Sequence, residues 1–144
     1  MALTQRNPAF EAVVRESYAR QNFMLYLGAE LAEIAPGRCE LQLKGRPELT
    51  QQNGFMHGGV IAALADVAGG YAAFTLFEAG ADILTVEIKI NYVAPAAGEA
   101  LIARGEVINS GRTLTIVRSE VFAVQDGVET LCAAGQGSLM TRKP

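Results

Sequence analysis

A long, weakly polar segment from Gly58 to Glu78 is the feature that most restricts how this chain can fold. It is rich in alanine and is followed by Gly80, a residue favoured at helix C-termini, so the pattern predicts one helix over 58–78. A helix that is apolar around most of its circumference must be covered by other elements. A membrane span would fit the length, but Asp66 near the centre and the preference for alanine over leucine favour a helix buried in a protein core.

Segments with period-two alternation follow this helix, and one precedes it. The clearest alternation places Leu84, Val86, Ile88, Ile90 and Tyr92 on one face of a strand. The predicted strands cover 39–44, 84–92, 100–108, 113–124 and 128–140, and 24–34 looks extended. Turn signals at Pro95 and Gly98, at 109–112 and at Asp126-Gly127 divide the last four strands, which we expect to follow one another as hairpins.

These elements predict an α+β fold in which an antiparallel sheet of about six strands wraps around the long helix. Asn7 and Pro8 suit the start of an additional N-terminal helix that ends near Gln21. We expect one domain over 1–144, since no linker or repeat interrupts the pattern. Gly69-Gly70 inside the long helix indicates that another backbone comes close, and a second helix across a dimer axis is a natural candidate.

Composition excludes several classes of function. The net charge of −3 argues against a nucleic-acid partner, which would need a basic face. Cys39 and Cys132 form no CxxC pair and the chain has one histidine, so a metal site lacks ligands and we expect no cofactor. The first residues contain no apolar run typical of a secretory signal, and we expect a reducing, cytoplasmic location without membrane attachment.

The start of the long helix and its carboxylate indicate an acyl-transfer site. The N–H groups of Gly58 and Gly59 would be among those without an intrahelical acceptor, and they could stabilise a developing negative charge. The alternative is that two glycines simply make a tight turn. Asp66 is either a catalytic carboxylate or a buried structural strut. Because Asp66 lies about 10.5 Å along the helix from Gly59, the two could meet at one carbon only across a dimer axis.

Other polar residues around these positions are candidates for supporting roles. His57 could be a base, but no GxSxG nucleophile elbow accompanies it, and a role in shaping the loop is favoured. Gln51 and Asn53 could direct an amide N–H at a carbonyl or a water. Thr85 could orient a water or the carboxylate, and Arg112 in a hairpin could hold a phosphate or simply be solvated.

Several motifs resemble the hotdog-fold acyl-CoA thioesterases of the phenylacetic-acid-degradation (PaaI-like) type. The segment Gln51 to Asp66, with His57-Gly58-Gly59 and Leu64-Ala65-Asp66, carries the resemblance most specifically. The segments 85–92 and 111–113 are similar to the same family, and the likeness extends from about Met24 to Met140.

The resemblance implies a hotdog dimer, often assembled into a homotetramer, that hydrolyses an aryl- or medium-chain acyl-CoA. In such a site the Gly59 N–H would polarise the thioester carbonyl, and Asp66 of the neighbouring subunit would act as base or nucleophile. His57 would shape the site, while Gln51 and Thr85 would assist; many relatives have Asn at the position of Gln51. Two alternatives stay open: a non-catalytic acyl-CoA sensor, and a hydratase or dehydratase that uses His57 directly.

Overall fold

The computed structural model of the protein describes residues 3–143. It contains three α-helices, α1 (Phe10–Tyr18), α2 (Asn22–Leu27) and α3 (Gly58–Phe74), and a short 3-10 turn at Pro47–Leu49. The six strands are β1 (Ala29–Ala35), β2 (Arg38–Lys44), β3 (Asp82–Tyr92), β4 (Ala100–Ser110), β5 (Leu114–Gln125) and β6 (Val128–Arg142). The α+β class, the six antiparallel strands and the N-terminal helix are confirmed. Met1, Ala2 and Pro144, at the ends of the predicted domain, lie outside the described residues.

The sheet runs in the order β1-β2-β4-β5-β6-β3 and wraps around α3. Leu64, Ala68 and Ala72 of α3 are fully buried against the inner face of this sheet. Removing such alanine and leucine surface from water is the main contribution that holds helix and sheet together. No helix within the described range 3–143 is long and apolar enough to cross a membrane.

The predicted hairpin between β3 and β4 is wrong. β3 pairs with β6 and forms an edge of the sheet, while β4 lies between β2 and β5. The connection over 93–99 therefore crosses the ends of the intervening strands, where Val93 N–H donates to Cys132 O and Glu99 N–H donates to Val124 O, both at 2.9 Å. Proline and glycine in this segment marked a crossing rather than a tight turn. Local signals could not reveal it, because the choice of partner strand depends on distant residues.

A bulge in β3 overturns the predicted single apolar face of that strand. The register with β6 shifts between Thr85 and Glu87. Ile88 and Ile90 consequently pack against the core, whereas Leu84 and Val86 are 50% and 58% exposed. An extra residue in one strand reverses the alternation beyond it, which moves Thr85 to the inner side.

The ends of the helices also differ from the prediction. Residues 24–27 belong to α2 instead of an extended segment. Helix α3 ends at Phe74, four residues before the predicted Glu78, and the backbone tightens there, with Leu76 N–H donating to Ala73 O at 3.0 Å. At this end buried Thr75 donates to Ala72 O (2.7 Å) and accepts from Gly37 N–H (2.8 Å). Gly80 has a positive φ of 80° in the turn before β3 and does not cap the helix.

The close approach predicted at Gly69 exists, but it comes from the sheet of the same chain. A methyl group placed on Gly69 would lie 2.8 Å from both Ser119 Oγ and a methyl carbon of Val117 on β5. On Gly70 the nearest atom would be in Leu139, at an ordinary 3.9 Å. The first of these glycines is therefore needed for packing of helix against sheet within the chain, and the approach of a second helix across a dimer axis stays a prediction.

Candidate active site

The tip of α3 is held by the residue that precedes it. His57 is the N-cap with an extended backbone, and its ring Nδ1 accepts the Gly59 N–H at 2.8 Å. The loop before it is anchored by His57 N–H donating to Leu49 O (2.8 Å) and Met56 N–H donating to Ala96 O (3.0 Å). No hydrogen bond from the Gly58 N–H is found among the described residues. The tip therefore offers one free donor and one donor that is occupied by a side chain.

Tyr92 holds the same tip from the other side. Its hydroxyl donates to the Gly58 carbonyl at 2.9 Å, and its ring lies 3.4 Å from the position that a Cβ on Gly58 would occupy. Tyr92 is at the end of β3 and is 54% exposed. The sequence identified this residue as part of a strand face and missed its contact with the helix. A polar aromatic side chain at a strand end, next to a connection that returns to the helix tip, is the signal that could have indicated it.

A cleft of about 440 Å³ opens beside this tip. Gln51, Gly58 and Tyr92 line it together with apolar side chains, namely Phe55, Met56, Ile61, Val93, Ala94, Pro95 and Ala96. Gln51 uses its amide oxygen to accept the N–H of Asn53, which leaves its NH₂ group available toward the cleft. Asn53 itself is exposed at the tip of the loop and does not line the cleft.

Asp66 faces a second, smaller cavity of about 150 Å³. Its Oδ1 accepts a hydrogen bond from Thr85 Oγ1 at 2.8 Å, so the bulge in β3 brings these two predicted site residues together. Ser17 and Gln21 from the N-terminal helical region also line this cavity, and no sequence motif indicated them. Asp66 is partly buried and the described residues offer it no ion pair, so the carboxylate is available to a bound molecule.

The two cavities do not merge within one chain. The residues that line the Gly58 cleft and those that line the Asp66 cavity do not overlap. Arg112 lines neither of them, since it lies in the exposed β4–β5 hairpin and lines a separate small pocket with Arg6 and Lys143. It forms no ion pair with any described residue, so its guanidinium is free to bind an anion.

Neither cysteine can supply a nucleophile at neutral pH. Burial raises the pKa of the Cys39 thiol to about 12, and burial also raises the pKa of Cys132. The thiolate is the reactive form of cysteine, so both side chains remain inert thiols. Across 3–143 there is no group of three His, Cys, Asp or Glu side chains that could hold a metal ion.

Comparison with known proteins identifies the family. The family model described as "Thioesterase superfamily" matches residues 53–130, which include the α3 tip, Asp66, Thr85 and the β4–β5 hairpin. The chain belongs to the thioesterase superfamily. This thioesterase is therefore a thioester hydrolase, and the resemblance to hotdog-fold enzymes is confirmed.

Relatives and solved structures agree with this assignment. The thioesterase is 31% identical to human acyl-coenzyme A thioesterase 13 over 114 residues, which is 78% of this chain and 81% of that protein. A thioesterase family protein from Silicibacter pomeroyi has a TM-score of 0.92 and 43% identity, covering 94% of this chain and 99% of that one. The PaaI protein of the E. coli phenylacetic acid degradation operon has a TM-score of 0.83 and 19% identity, covering 98% and 96%, and at that identity shows a shared fold alone.

Proposed function

We propose that this thioesterase hydrolyses an aryl- or medium-chain acyl-CoA to the free acid and coenzyme A. A single domain over residues 1–144 would carry the activity, in the cytoplasm. The name of a human relative, an acyl-coenzyme A thioesterase, supports the acyl-CoA part of the proposal. The observation that carries this proposal is the position of the edge strand β3 between two cavities. Its Thr85 contacts the Asp66 carboxylate in one cavity, and its Tyr92 contacts the helix tip beside the other.

The edge strand provides the geometric reason for a dimer. β3 spans Asp82–Tyr92, and its free edge and exposed side chains can pair with a second copy. Thr85 touches Asp66 and Tyr92 touches Gly58 within one chain. An antiparallel pairing around a two-fold axis near the middle of β3 would place Thr85 opposite Tyr92 of the partner subunit. The Asp66 cavity of one subunit would then meet the Gly58 cleft of the other.

In this composite site the α3 tip would polarise the thioester. The Gly59 N–H would donate to the thioester oxygen, which would replace His57 Nδ1 as its acceptor, and the free Gly58 N–H lies beside it. Donors at a helix tip favour the negative charge that develops on this oxygen in the transition state. His57 would shape the tip, and the Gln51 NH₂ would direct the carbonyl or the water from the same cleft.

Asp66 of the neighbouring subunit would carry out the attack. It would either remove a proton from a water that adds to the carbonyl carbon or add directly to form an anhydride that water then cleaves. In both routes the C–S bond breaks, the sulfur leaves as coenzyme A, and one water supplies the new acid oxygen. Thr85 would hold the carboxylate through its 2.8 Å hydrogen bond.

More distant residues would bind the rest of the substrate. Asn53, exposed in the loop from which Gln51 and Phe55 line the Gly58 cleft, would contact the substrate entering that cleft. Arg112 would bind a phosphate of coenzyme A, because its guanidinium is exposed and matches phosphate geometry. Two such dimers would assemble as a homotetramer.

The test is hydrolysis of a panel of acyl-CoA esters, followed through the released thiol. Phenylacetyl-CoA, hydroxybenzoyl-CoA and straight-chain esters should be compared for the wild type, Asp66→Asn and Asp66→Ala. We expect turnover of at least one ester and a loss of about 10³-fold or more in kcat for both variants, because the carboxylate makes the attack. The melting temperature should be nearly unchanged for the isosteric Asp66→Asn. Near-normal turnover by either folded variant would remove Asp66 from the mechanism.

A further inference from the structure

The Gly58–Gly59 peptide group is bound by a side chain at each end. Its carbonyl, on Gly58, accepts the Tyr92 hydroxyl at 2.9 Å, and its N–H, on Gly59, donates to His57 Nδ1 at 2.8 Å. These two bonds belong to one planar unit, so Tyr92 and His57 together fix its orientation. Because Nδ1 accepts, the neutral imidazole carries its proton on Nε2.

We infer that Tyr92 is a positioning residue for thioester hydrolysis, acting through the peptide group whose N–H polarises the substrate. A donor bound to a peptide carbonyl draws electron density toward the oxygen and makes the N–H of the same unit a stronger donor. The effect grows as negative charge develops on the substrate oxygen, so it favours the transition state over the ground state. This inference rests on the proposed function, because it assigns the Gly59 N–H to the thioester carbonyl.

The placement of Tyr92 supports a role beyond packing. The ring lies 3.4 Å from the position that a Cβ on Gly58 would occupy, while more than half of the residue's surface remains exposed, so Tyr92 adds little to the core. It also lines the cleft that leads to the helix tip. Tyr92 thus connects β3, the edge strand on which the dimer is proposed to form, with the Gly59 N–H. In the proposed site this N–H polarises the thioester that the partner subunit's carboxylate attacks.

The first experiment compares Tyr92→Phe with the matched control Tyr18→Phe. Both variants lose one hydroxyl bond to a backbone carbonyl, since Tyr18 donates to Ala29 O at 2.6 Å. For Tyr92→Phe we expect kcat to fall about tenfold, while KM and the melting temperature stay nearly unchanged. This pattern is expected because the lost hydrogen bond strengthens only in the transition state. Tyr18→Phe should lose stability and retain kcat. A kcat within twofold of the wild type for Tyr92→Phe overturns the inference.

A further readout separates positioning from structural support. In Tyr92→Phe the Gly59 amide proton resonance should move upfield as the N–H becomes less polarised, and Tyr18→Phe should leave it in place. An unmoved resonance in Tyr92→Phe also overturns the inference.

The experiment distinguishes failure of the inference from failure of the proposed function. If the wild type turns over no acyl-CoA ester, the proposed function fails, and the Gly59 resonance alone then decides whether Tyr92 polarises the peptide group. If the wild type is active and Tyr92→Phe matches it, the function stands and the inference fails.

Discussion

Helix α3 carries two glycine pairs, Gly58-Gly59 at its tip and Gly69-Gly70 further along, and their surroundings differ. At the tip, Gly58 and Gly59 are partly or fully exposed and are contacted by polar groups of Tyr92 and His57. Gly69 is buried, and a methyl group there would lie 2.8 Å from β5. The same residue type therefore lies among polar side chains at an exposed helix tip at one position and makes room for a strand at the other, which the dipeptide alone could not indicate.

The largest expected effect is a loss of activity when a side chain is added at Gly59, at the tip of α3. In Gly59→Val the new Cβ would lie 3.0 Å from His57 Nδ1, so the side chain would displace the ring and cover the N–H. We expect kcat/KM to fall about 100-fold or more, the cost of losing one donor to the developing oxyanion. Because Gly59 is exposed, the melting temperature should change little. Steady-state kinetics and thermal unfolding of this variant test the tip, and retention of full activity would contradict its role.

At the other glycine pair, Gly69-Gly70, we expect a substitution to change stability. In Gly69→Ala the methyl group must displace Ser119 or Val117, and we expect a loss of about 1–3 kcal/mol of unfolding free energy. Gly70→Ala is the matched control, because its methyl group makes only an ordinary contact at 3.9 Å and alanine favours the helix by roughly 1 kcal/mol. Urea unfolding should therefore give opposite signs for neighbouring substitutions. Equal losses at both positions would show that Gly69 is not specially packed.

The features that the sequence could predict involve residues close together in the chain, and those that it could not predict involve distant residues. The HGG segment and Asp66 are close in sequence, and they indicated the helix tip and the carboxylate that faces a cavity, while the dimer inferred from their separation stays a prediction. The partner of β3, the bulge at Thr85 and the contact of Tyr92 with Gly58 depend on residues distant in sequence. At the end of α3, Thr75 accepts a hydrogen bond from Gly37, which is distant in sequence and which no local pattern contains.

The last expected effect is a pH dependence of the unfolding free energy, confined to alkaline solution, from the buried Cys39 thiol. Burial raises the pKa of Cys39 to about 12, above its ordinary value of 9.0. The folded state then binds more protons than the unfolded state between these values, so this contribution to stability is complete below pH 9 and is lost as the pH rises toward 12. Each pH unit in this window should cost up to about 1.4 kcal/mol.

Urea unfolding at a series of alkaline pH values measures this loss. Cys39→Ala removes the titrating thiol, so its stability should start lower and fall less steeply with pH. Parallel slopes for the variant and the wild type would contradict the assignment to Cys39.

The central claim is that each site combines Asp66 of one subunit with the Gly58–Gly59 tip of another. Subunit complementation tests it directly, by co-expressing Asp66→Asn and Gly59→Val chains, each nearly inactive alone, and measuring acyl-CoA hydrolysis of the mixed oligomer. Random assembly leaves one site in four with both native groups, so the account predicts about a quarter of wild-type activity. Activity no greater than the average of the two separate variants would show that each site is built within one chain and would contradict the account.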